Sequence, residues 1–66
     1  MAVAKVIEIS AESDRSFEDA INLGITTAAK TVRNIMAAWV KEQQVTVTNG
    51  KVTGYRVNLN ITFLLE

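Results

Sequence analysis

Few side chains in this chain could do chemistry. With no His and no Cys among 66 residues, proton transfer or nucleophilic attack would fall to carboxylates, lysines, Tyr55 and hydroxyls. Acids such as Glu8, Glu18, Asp19, Glu42 and Glu66 are scattered, with no pair among them spaced as an acid/base couple. No Gly-rich phosphate loop is present either. The same composition removes disulfides and every thiolate or imidazole metal site. The residues therefore read as those of a binding or structural protein rather than an enzyme.

Trp39 is the side chain that a purely structural account does not absorb. It lies in a long alternating run, Trp39 to Leu64, folded back at Asn49-Gly50. Asn-Gly between alternating strands is a strong hairpin signal, because both central residues of a type I′ turn need φ > 0. The turn predicts a register with Thr48 opposite Lys51, Gln43 opposite Arg56, Lys41 opposite Asn58, Trp39 opposite Asn60 and Ala37 opposite Thr62. One face then carries Ala38, Val40, Tyr55, Val57, Leu59, Ile61 and Phe63, which is a core face. The other carries Trp39, Lys41, Gln43, Arg56, Asn58, Asn60 and Thr62. An indole among polar groups is either an anchor in a subunit contact or a stacking platform for a planar ligand.

The elements that position this face follow from periodicity. Val3 to Ile9 is β-branched and apolar and suits a strand, and Ala11 to Arg15 is polar punctuation. Ser16, with Asp19 three positions on, predicts a helix N-cap near Phe17; Ser13 is the alternative cap. Phe17, Ala20, Ile21, Gly24, Ile25, Ala28, Val32 and Ile35 then form one buried stripe. The stripe predicts a helix of about 19 residues, about 28 Å long, lying across the core face of the hairpin, with Lys30 and Arg33 in its last turns. Gly24 within it costs about 1 kcal/mol of helix propensity and marks a close approach of helix to sheet. The reading is α+β: a β-α-β-β unit in one domain over residues 1–66, with a three-stranded antiparallel sheet wrapped on one helix.

Size and charge bound the rest. A chain this short buries only about 60% of its unfolded surface, so a lone subunit is marginal; without disulfides or a metal, self-association is the remaining staple. Seven basic and seven acidic residues cancel without forming blocks, which leaves no footprint for nucleic acid or an anionic membrane. No apolar stretch reaches the roughly 18 residues of a spanning helix, and no signal-peptide pattern opens the chain. It reads as a cytoplasmic protein.

The AKVIEI strand, the SFEDAI helix start, the KTVRNI helix end and the TNGKVTGYRVNLNITF hairpin together resemble the dodecins across essentially the whole chain. That resemblance implies β-α-β-β subunits assembling into a hollow homododecamer, helices outside and sheets facing the interior. Many dodecins stack a flavin on a tryptophan at the start of the second strand and hold its polar edge with a glutamine just after the Tyr of the third. The tryptophan position falls here on Ala37 and the glutamine position on Arg56, directly after Tyr55. Trp39 stands one same-face step further along, about 7 Å away. The resemblance thus implies a cage that binds or stores a small planar ligand, FMN or riboflavin first. Its facing residues would be Ala37, Trp39, Arg56 and Asn58, with Trp39 as a displaced stacking wall and Arg56 as a donor. Similar proteins lacking the usual tryptophan are associated with calcium, which defines the alternative: a structural or calcium-binding shell without flavin.

Overall fold

The computed structural model describes residues 3–65, so Glu66 lies outside them. The elements follow in the order β1 (Val3–Ser13), α1 (Phe17–Ala28), β2 (Ile35–Thr48) and β3 (Lys51–Leu65). All three strands pair antiparallel in the order β1-β3-β2, which puts the last strand in the centre. Central placement explains why β3 carries the core: Val57, Leu59 and Ile61 are fully buried, with Ala20 of the helix against them.

β1 runs four residues beyond the predicted Val3 to Ile9. Ser10 to Ser13 continue the ladder opposite Asn58 to Tyr55. The alternation persists through this polar stretch, with Ile7, Ile9 and Ala11 packed on the core side and Glu8, Ser10 and Glu12 on the other.

Ser16 is the N-cap, its Oγ accepting from the Asp19 backbone N–H at 2.9 Å. Ser13, the alternative cap, instead donates to Asp19 Oδ2 at 2.6 Å and fixes the loop from the strand side. Ser16→Ala is expected to lower stability by about 1 kcal/mol, read as a shift in the urea midpoint at unchanged slope.

The helix ends at Ala28 after 12 residues, well short of the predicted length, and no basic residue lies in its last turn. Val32, Ile35, Lys30 and Arg33 therefore leave the helix. The chain instead tightens through Lys30 N–H to Thr27 O (3.2 Å) and Thr31 and Val32 N–H to Ala28 O (3.1 and 2.9 Å). β-branched Thr26, Thr27, Thr31 and Val32 make this a weak stretch for continued helix. Asn34, at φ +62°, then redirects the chain into β2. Asparagine tolerates this left-handed conformation better than most residues.

The helix lies over β1 and β3 rather than across the hairpin. A connection of only three residues, Asp14 to Ser16, holds it above β1. Gly24 marks the contact: a Cβ there would sit 3.1 Å from Ala11 Cβ, 3.2 Å from Leu59 Cδ1 and 3.4 Å from Ile9 Cδ1. Gly24→Val should therefore overpack this seam and cost about 2 kcal/mol, seen as a lower melting temperature; an unchanged melt would contradict the close approach.

The helix side of β2 and the hairpin tip are left bare. Val45, Val47 and Val52 are 39%, 58% and 51% exposed. The subunit measures 51 × 19 × 13 Å and exposes 4911 Å². A compact monomer of 7.2 kDa would expose about 4,100 Å². The excess, much of it apolar, is what self-association would cover.

Candidate ligand-binding site

Asn49 and Gly50 adopt φ +53° and +76°, so the hairpin turns where predicted. Trp39 opposite Asn60 and Ala37 opposite Thr62 hold as well. Between them and the turn the register is shifted by one. Thr53 is an extra residue on β3 near the tip and Lys41 an extra residue on β2, so the two bulges cancel by the time the ladder reaches Val40. The Thr53 bulge is pinned by Thr46, whose Oγ1 lies 3.0 Å from Thr53 Oγ1 and whose carbonyl accepts from it at 3.3 Å.

The shift changes the composition of the polar face. Glu42, not Lys41, stands opposite Asn58, and Gln44, not Gln43, opposite Arg56; Gln43 moves to the side of Val57. Adding β1 gives cross-strand rows. Glu8, Asn60 and Trp39 form one, Ser10, Asn58 and Glu42 the next, and Glu12, Arg56 and Gln44 the third. Lys41, on its bulge, still reaches across this face to Glu8 Oε2 at 3.5 Å.

Each expected site residue can now be placed. Trp39 projects from the face and is 71% exposed. Ala37 offers only a methyl group beside Thr62 and is exposed. Arg56 donates through Nε (3.1 Å) and Nη2 (2.8 Å) to the same oxygen, Glu12 Oε1, which leaves Nη1 for another acceptor. Asn58 donates to Glu42 Oε1 at 3.1 Å and keeps its own carbonyl oxygen as an acceptor. Trp39 and Arg56 share a face but do not meet: the four β3 residues from Asn60 to Arg56 separate their rows by about 13 Å.

Sequence reasoning left Glu8, Ser10, Glu12 and Gln44 out of this face. The alternation of β1 was the available signal for the first three; Gln44 depends on the bulges. A concavity of about 640 Å³ lies elsewhere, between the free edge of β1 and the helix, where Ile9, Ala11, Leu23 and Gly24 line it. Among the described residues no three acidic side chains converge as a metal site.

Residues 3–66 match the dodecin family model. This chain belongs to the dodecin family. A dodecin from T. thermophilus, solved as an arginine-to-alanine mutant, superposes with a TM-score of 0.94 at 33% identity, covering 100% of this chain and 98% of that one. Dodecin from Streptomyces coelicolor gives 0.93 at 25% identity, covering 98% and 93%. The calcium-chelating immunodominant antigen calcium dodecin, from Mycobacterium tuberculosis, gives 0.83 at 35% identity, covering 97% and 91%. No curated protein gives a significant match. The dodecin subunit fold thus holds at both 25% and 35% identity, and one of these relatives is named for a ligand, calcium. The helix placement and strand order described above are those of a dodecin subunit, and no described helix is long and apolar enough to cross a membrane.

Proposed function

We propose that the chain is the subunit of a hollow homododecameric dodecin shell whose inward polar faces hold a small planar ligand, a flavin, stacked on Trp39. The observation that carries this reading is the 71% exposed indole on an otherwise polar sheet face. Left in water, that ring forfeits the apolar burial and stacking that make tryptophan valuable in a contact. A planar aromatic ring recovers both, and Asn60 beside the indole brings amide donors and an acceptor to its polar edge.

A flavin is longer than its ring system, and the face is built along that direction. With the isoalloxazine on Trp39, the polyol tail runs over Asn58, one row on, towards Arg56, two rows on. Asn58 accepts through Oδ1 and Arg56 donates through Nη1. Ala37 leaves the usual stacking position vacant, so the ring moves about 7 Å along β2 to Trp39. No catalytic step is assigned. Glu8, Glu12 and Glu42 are each held by a neighbour on the face, and the site binds rather than transforms.

A titration of riboflavin with the purified protein tests the proposal. Saturable quenching of flavin fluorescence at micromolar protein is expected, on a particle of about 86 kDa, twelve times the 7.2 kDa chain. No quenching at that concentration contradicts it.

Calcium is the second reading. It is favoured by 35% identity to a protein named calcium dodecin and by Glu8, Glu12 and Glu42 sharing one face. Calcium takes six to eight oxygen ligands, so a site would have to gather carboxylates from several copies. A calcium-dependent rise in melting temperature together with silence towards riboflavin would select this reading.

A further inference from the structure

The three rows of the polar face from Trp39 to Gln44 carry an uneven set of charges. Their two cations are both engaged, Lys41 with Glu8 at 3.5 Å and Arg56 with Glu12 at 2.8 Å, and Lys51 stands on the same face only at the hairpin tip, opposite Thr48. Glu42 has only a neutral partner, the Asn58 amide at 3.1 Å, and among the described residues no cation reaches it. Within these rows three carboxylates thus stand against two cations. The uncompensated one sits in the row between Trp39 and Arg56, about 7 Å from the row of the indole.

Resting on the reading of Trp39 as a flavin platform, we infer that this face selects by charge, taking planar ligands with an uncharged polyol tail over those with a phosphorylated one. The tail must cross the Glu42 row. Hydroxyls can donate to that carboxylate and accept from the Asn58 amide. A phosphate carries about −1.5 to −2 charges, has oxygens that only accept, and meets Glu42 as a like charge. Arg56 does not reverse the sign, because Glu12 already neutralises it.

Parallel titrations with riboflavin and FMN test this, in wild type and in Glu42→Gln, at low ionic strength and again in salt. In wild type at low salt FMN should bind about fivefold more weakly than riboflavin, as Coulomb repulsion across about 7 Å of wet surface requires. The gap should close to within about twofold in Glu42→Gln, and in wild type at about 0.5 M salt, where the Debye length falls well below that spacing. The salt series needs no variant, so a misfolded Glu42→Gln would not leave the question open. FMN binding as tightly as riboflavin in wild type overturns the charge selection while leaving the Trp39 site standing. So does a gap that neither salt nor Glu42→Gln moves. Failure of both flavins to bind removes the site and the selection together.

Discussion

Truncating Leu59 to alanine is expected to lower stability by about 3 kcal/mol, within the range of about 2 to 5 for buried leucines. Leu59 is fully buried at the middle of the central strand, flanked by Ile9 on one side and Val40 on the other. Its Cδ1 lies 3.2 Å from where a side chain on Gly24 would begin, so with Ala11 and Ile9 it forms the contact on which the helix rests. Among the described residues the fully buried hydrophobic core is small, consisting of Ala20, Val57, Leu59 and Ile61. Few other side chains can compensate, and the rigid backbone approach at Gly24 limits collapse into the cavity. Guanidinium unfolding at several protein concentrations measures the loss. The midpoint should rise with concentration in both proteins, because association is linked to folding. A loss below about 1 kcal/mol would mean that stability resides almost wholly in contacts between copies rather than in this core.

Replacing Trp39 by alanine is expected to weaken riboflavin binding by about 100-fold or more while leaving the particle mass unchanged. An interface anchor and a ligand platform make opposite predictions here. Loss of an aromatic anchor typically costs about 2 kcal/mol or more at each contact, and over a many-subunit shell that shifts the population towards smaller species. Loss of a stacking wall removes ring contact and apolar burial from the ligand alone. Light scattering on the variant, beside the titration, separates the two. A smaller particle would mark Trp39 as a subunit contact and would remove the indole from the ligand site.

Much of this was legible in the chain itself, where the signals were local. Asn49-Gly50 specified its turn through the two positive φ values it needs, Ser16 its cap, and the alternation from Val57 to Ile61 its buried face. Gly24 read correctly as a close approach, because a costly glycine in an apolar helical stripe has few other uses. What escaped was non-local. Val32 and Ile35 continued the helical period although the chain had already turned at Ala28, since periodicity alone does not register the weak β-branched run before Asn34. The two bulges at Lys41 and Thr53 left no mark in the alternation and exchanged Gln43 for Gln44 on the polar face. Arg56 was legible as a residue of the polar face, but not its engagement by Glu12. That pairing joins residues 44 positions apart and exists only because β1 extends to Ser13 beside β3.

Trp39 is the only tryptophan in the chain, so its own emission reports directly on what stacks against it. Excited selectively during a riboflavin titration, that emission should fall in step with occupancy and level off when the flavin sites are full. Riboflavin that binds to saturation while Trp39 emission stays unchanged would place the flavin elsewhere on the shell and contradict the assignment of Trp39 as its platform.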